Sequence, residues 1–95
     1  MSVTSMLKLK ILTPAGTAAE AEGNSVHLPL ADDSSGRGAG DLGIRPGHLP
    51  AVIALGTGAA FVLLNGEERL RVRLNGGFAS VKNDEVTVIA DSVVI

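Results

Sequence analysis

The segment GAGDLGIRPGHLP, residues 38–50, decides between two incompatible folds. Gly38, Gly40 and Gly43 spell G-x-G-x-x-G. In a dinucleotide-binding fold such glycines close a strand and open a helix, whose first amides hold a pyrophosphate. The residues that follow do not permit that helix: Pro46 and Pro50 bias Arg45 and Leu49 away from helical angles. The acidic residue that should come about 20 positions later would fall in GAAFVLL, which has none. No G-x-x-x-x-G-K-[ST] phosphate loop occurs either. The segment therefore reads as shaped backbone. Gly43 and Gly47 permit φ > 0, and Pro46-Gly47 fits the two central positions of a type II turn. Leu42 and Ile44 are apolar residues between a polar loop and that turn. They either tuck into the end of a sandwich or face a partner, and patterning alone leaves both readings open.

On either side of this segment the period is two, the signature of half-buried strands. In MLKLKIL, Leu7, Leu9 and Ile11 share one face while Lys8 and Lys10 share the other. In RLRVRLN, Leu70, Val72 and Leu74 face inward and Arg69, Arg71 and Arg73 outward. Asn65-Gly66 before it is a strong hairpin signal, and KNDE at 82–85 marks a second hairpin leading into EVTVIAD. LPAVIALG and GAAFVLL read as buried strands. SVHLPLA alternates too, but Pro29 cannot donate a ladder hydrogen bond, so this strand belongs at an edge or carries a bulge. The one helical candidate, residues 17–23, is short and reads better as a strand or irregular edge. DDSSGRGAGD, residues 32–41, is a long polar loop. Turn signals about every ten residues predict an all-β chain, a sandwich or barrel.

Composition narrows the function. Ninety-five residues make one domain. Phe61 and Phe78 are the whole aromatic inventory and the net charge is −2, so neither base stacking nor a basic field is available for nucleic acid. The absence of cysteine removes disulfides, thiolate metal sites and cysteine nucleophiles. His27 and His48 show no metal-ligand spacing and read as surface or turn histidines. Ser34 or Ser35 with His48 and Asp41 would place a hydrolytic triad on a loosely held loop, where a nucleophile cannot be positioned. The arginine stripe reads as a solvated face balanced by Glu67 and Glu68, with docking of an acidic partner as the alternative.

Three stretches resemble one known family. LKLKILTPAG resembles the first strand and turn of the N-terminal β-sandwich domain of the F-type ATP synthase epsilon subunit (delta in mitochondria). GDLGIRPGHLPAVIAL is similar to its G-E-L-G-I-x-P-G-H-x-P signature, and LNGGFASVKNDEVTVIAD to its last strands. The resemblance implies a flattened all-β sandwich or barrel of about ten short strands, as a single domain over residues 1–95 with a loop insertion near 32–41. It implies a non-catalytic rotor subunit that couples the gamma subunit to the membrane c-ring, peripheral on the cytoplasmic face of the bacterial plasma membrane. Carried over, the c-ring contacts are Asp41 (for the usual Glu), Leu42, Gly43, Arg45 and His48, with Gly43, Pro46 and Gly47 shaping the loop. No cofactor, metal or nucleotide site is implied. The family's C-terminal helical hairpin has no counterpart here, so its brake on hydrolysis is expected to be missing. The alternative reading is a free-standing β-sandwich binding module; a small β-barrel hydrolase or metal-dependent isomerase is less well supported.

Overall fold

A computed structural model describes residues 6–31, 40–47 and 50–94. They form eight strands: β1 (Leu7–Thr13), β2 (Gly16–Gly23), β3 (Ser25–Pro29), β4 (Asp41–Ile44), β5 (Ala51–Leu64), β6 (Glu67–Lys82), β7 (Glu85–Ala90) and β8 (Val93–Val94). The fold is all-β. The strand order is β2-β1-β7-β6-β5-β3-β4, with β8 on β6. The β1–β7 pair is parallel and all other pairs are antiparallel. Residues 17–23 are strand, as their poor helix signals suggest. The expected insertion at 32–41 lies outside the described residues except at its last two positions.

Two of the strands are long rather than short. LPAVIALG and GAAFVLL are one strand, β5, paired along its length with β6. Its side chains change phase midway: Leu55 and Ala60 are both buried, an odd number of residues apart, and so are Leu74 and Ala79 on β6. A flat strand buries residues at even spacing. The hairpin therefore bends, and its two arms bend together, which carries strands from one sheet of a sandwich to the other. The start of β5 and the end of β6 lie with β7, β1 and β2. The remaining halves lie with β3, β4 and β8.

Glycines sit at this corner because backbone passes against it. A Cβ on Gly56 would stand 2.6 Å from the Leu30 carbonyl oxygen, and one on Gly77, at φ 122°, would overlap the Ile89 carbonyl. Pro29 lies at the matching break in the next ladder. β3 pairs β5 through Ser25–His27, and contact resumes only at the Leu30–Leu55 bridge. β3 is thus an interior strand that tolerates proline through an irregularity. One core unites both sheets, with Leu7, Leu9, Ile11, Leu28, Ile44, Leu74, Val86 and Val88 essentially inaccessible to solvent.

The turns follow their sequence signals. Asn65-Gly66 takes left-handed angles at both positions (φ 52° and 84°), as does Asn83-Asp84 (φ 53° and 59°). Turns of this kind match the twist of paired strands.

Candidate functional site

β4 pairs β3 antiparallel, Asp41 opposite Pro29 and Gly43 opposite His27. Its alternation sorts the candidate residues. Ile44 is fully buried and Leu42 half-buried against the core, whereas Asp41, Gly43 and Arg45 face solvent. The segment is a strand after its third glycine, so the helix that a dinucleotide fold requires is absent from residues 41–47. Gly43, expected to shape a turn, does not: it lies inside β4 without a left-handed φ, and Gly40, at φ 75°, takes that conformation instead. Gly43's role is spatial. Among the described residues, an added Cβ would meet only the His27 ring, 3.5 Å from Cε1.

Gly47 does adopt the left-handed geometry, φ 85°, which a type II turn requires after Pro46. Its amide donates to the Asp84 carboxylate at 2.8 Å. The Asp84 carbonyl accepts from the Lys8 amide at 3.0 Å. Asp84 therefore ties the Pro-Gly turn, the β6–β7 turn and the start of β1 into one end of the sandwich. Nothing singled out Asp84 in the sequence; the usable signal was an Asp in a turn, where short carboxylates cap backbone amides. His48 lies outside the described residues, as do Ser34 and Ser35.

His27 is on the outer face as expected, yet half-buried. Its ring stacks on Phe61, with centroids 4.5 Å apart and planes 8° from parallel. Its Nε2 shares a 2.8 Å hydrogen bond with the Ser25 hydroxyl. Beyond Phe61 the Arg71 guanidinium lies 4.5 Å from the ring centroid. Arg71 Nε in turn donates to Glu68 at 2.7 Å. Register explains the row: Gly43, His27, Phe61 and Arg71 are successive cross-strand partners on β4, β3, β5 and β6. Adjacent strands stand about 4.8 Å apart, close to a ring-stacking distance. Pairing with the hairpin's glutamates fits the solvated reading of the arginine stripe, since such exposed pairs contribute little.

The other sheet presents a different surface. Ala54, Phe78 and Ile89 are cross-strand partners on β5, β6 and β7. Phe78 and Ile89 are 60% and 59% exposed, and Val52, two residues along β5, is 77% exposed. Val52 belongs to the run read as buried; that expectation fails because the start of β5 covers the core with one face only. Among the described residues no group of three or more His, Cys, Asp or Glu side chains is placed to hold a metal.

The class so defined is an all-β sandwich whose distinctive features are exposed rows on its outer faces. The chain belongs to the ATP synthase delta/epsilon family through that family's β-sandwich domain, which matches residues 6–95. It is 36% identical over 85 residues to the ATP synthase epsilon chain of Synechococcus sp. (strain JA-2-3B'a(2-13)), and 36% identical over 86 residues to that of Bacillus subtilis (strain 168). Each alignment covers 90% of this chain, but 56% and 59% of the relative. The chain thus spans little more than half the length of these relatives. In fold it is similar to a chain of the Euglena gracilis mitochondrial ATP synthase, with a TM-score of 0.75 at 18% identity, covering 99% of this chain and 56% of that one. It is also similar to a chain of the central stalk and c-ring structure of the Tetrahymena thermophila mitochondrial enzyme, with a TM-score of 0.65 at 14% identity, covering 92% of this chain and 64% of that one.

Proposed function

We propose that this protein is a central-stalk, rotor subunit of an ATP synthase, which couples the gamma subunit to the membrane c-ring and performs no bond chemistry itself. The observation that carries the reading is the family match over residues 6–95, in a sandwich of matching fold. The c-ring is assigned to the β4 side, through Asp41, Gly43 and Arg45 and the turn that follows. The gamma subunit is assigned to the apolar row Val52, Phe78 and Ile89. Side chains of that size at that exposure suit the centre of a protein interface. A wedge held on both sides must bury on the order of 1,200–2,000 Å² at a stable contact. Leu42 supports β4 from within, since it packs on the core. The expected location is the cytoplasmic face of the bacterial plasma membrane, reached through the complex.

The test uses the assembled enzyme. Tagged protein expressed in its source cells should bring gamma and c subunits with it from native membranes. Asp41→Lys together with Arg45→Glu inverts the β4 charges without touching the core; it should weaken retention of the ring and lower ion pumping per ATP hydrolysed. Phe78→Ser with Ile89→Ser should weaken retention of gamma instead. Normal pumping per ATP in the first variant would remove the β4 assignment. Failure to recover either partner would favour a free-standing binding module.

A further inference from the structure

We propose that the outer face of the β2-β1-β7-β6 layer is self-complementary, and that before assembly the chain pairs with a second copy of itself through it. The face carries a row of charges whose signs alternate. Glu22 on β2 is the register partner of Lys8 on β1, Lys8 that of Glu85 on β7, and Glu85 that of Lys82 on β6. All of them are exposed. Among the described residues the ion pairs are Arg69–Glu67 and Arg71–Glu68, both on the other sheet, so neither draws on this row. A row that reads minus, plus, minus, plus complements itself under one kind of two-fold rotation. The axis lies in the face, parallel to the strands and between β1 and β7, and reverses the order across the strands. Glu22 then meets Lys82 of the second copy, and Lys8 meets its Glu85.

The same rotation keeps each residue at its own height along the strands. Glu20 meets Ser80, Lys10 meets Thr87, Ile89 meets Leu12, and Phe78 meets β2 near Thr17. No like charges face each other, and the two sheets take the aligned arrangement of packed sheets. Other arrangements fail. An axis across the strands would set Glu85 and Lys82 against Ile89 and Phe78, stripping water from charges without pairing them. Pairing two copies edge to edge through β2, the last strand of its sheet, would bring Glu20 and Glu22 of both together, and like charges opposed across strands are destabilising. Strand spacings of about 4.8 Å and rises of about 3.3 Å make the shared face about 19 Å by about 20 Å. Covered in both copies, it buries on the order of 1,000 Å², the lower end for a specific contact. The dimer is therefore weak, and it encloses Phe78 and Ile89. That a second copy and gamma exclude each other rests on the rotor reading; the dimer itself does not.

The test reads contacts between copies only. Within one chain Glu22 and Lys82 are separated by β1 and β7, so about 14 Å keeps them from touching. In sedimentation equilibrium up to about 0.5 mM the parent chain should exchange between monomer and dimer. Glu22→Lys sets cations face to face and Lys82→Glu sets anions face to face, so each variant alone should dimerise at least about tenfold more weakly. An equal mixture of the two variants restores every pairing and should recover dimer to within about threefold of the parent. A parent that stays monomeric, single variants that dimerise as the parent does, or a mixture no better than its components would overturn the proposal. Phe78→Ser with Ile89→Ser separates it from the gamma assignment. Loss of dimer with gamma still retained in native membranes would keep the self-complementary face and remove the gamma assignment. Loss of gamma in that variant, beside a parent chain that is monomeric alone, would do the reverse.

Discussion

Asp84 holds three things at once, and substitution separates them. Its carboxylate accepts the Gly47 amide at 2.8 Å, its carbonyl accepts the Lys8 amide at 3.0 Å, and its own backbone sits at φ 59°. Asp84→Asn keeps an acceptor and a residue type that tolerates left-handed angles. Asp84→Gly keeps the conformation and removes the acceptor. Asp84→Ala removes the acceptor and leaves a residue without the short polar side chain that eases the left-handed conformation. The Lys8 bond uses backbone and survives all three. A hydrogen bond to a partly exposed turn contributes about 1 kcal/mol, and a left-handed alanine costs about 1 kcal/mol more than a glycine. Asp84→Gly should therefore lose about 1 kcal/mol and Asp84→Ala about 2, with Asp84→Asn within about 0.5 of the parent. In a domain of this size 1 kcal/mol moves Tm by about 4–8 °C, so the alanine variant should melt about 8–16 °C lower. Thermal melts rank the series, but amide exchange at Gly47 isolates the bond. Loss of about 1 kcal/mol of local protection speeds exchange roughly fivefold, in Asp84→Gly and Asp84→Ala alike. If Gly47 exchanges at the parental rate in Asp84→Gly, the carboxylate does not hold the Pro-Gly turn and the reasoning fails.

The remaining expectations concern the corner and the outer row. Gly77→Ala places a Cβ on the Ile89 carbonyl at a left-handed φ; it should cost more than about 4 kcal/mol, read as loss of folded protein or a collapsed urea midpoint. Gly43→Ala has ordinary contact with His27 and no strained φ, so its midpoint should match or exceed the parent's, because alanine is less flexible than glycine in the unfolded chain. Leu42→Ala should lower stability by about 1–3 kcal/mol, below the fully buried range, before any docking is measured, since Leu42 packs on the core. Phe61→Ala should remove the ring-current shift at the His27 imidazole protons in an NMR spectrum and lower stability by about 1–2 kcal/mol.

Legibility in the sequence followed how strictly each segment alternates. RLRVRLN and MLKLKIL announce both strand and face, because charged residues stand at every second position. LPAVIALG announces only a strand: with no polar residue to mark the outer face, Val52 and Ile53 look alike, though one is exposed and the other packs on the core. The corner is not legible in the sequence, because a strand that changes sheets keeps its hydrogen-bond register through Gly56, Gly58, Gly76 and Gly77. Proline at Pro46 and Pro50 was sufficient to dismiss the nucleotide fold. That residues 41–44 form a strand, with Asp41 and Gly43 outward, was not legible in a segment that reads as loop and turn, and neither was the stack on His27. It needs Phe61 and Arg71, which lie 34 and 44 positions away and are joined to His27 by register alone.

The bent hairpin gives the rotor reading its mechanical content. The apolar row assigned to gamma lies on the first half of β5, the second half of β6 and β7; the β4 row assigned to the ring hangs from β3, which pairs the second half of β5. Force applied at one face therefore reaches the other through the same two strands, at the corner. A corner built of four glycines would be a hinge if it stood free in solvent. It does not stand free: Leu30 backbone closes over Gly56, Pro29 over Gly58, and the end of β7 over Gly77. The close approaches that demand glycine also fill the space into which the hairpin would bend. The residues that make the corner possible are thus the residues that stop it flexing, and a side chain introduced at Gly56 should loosen the two faces from each other before it unfolds either one.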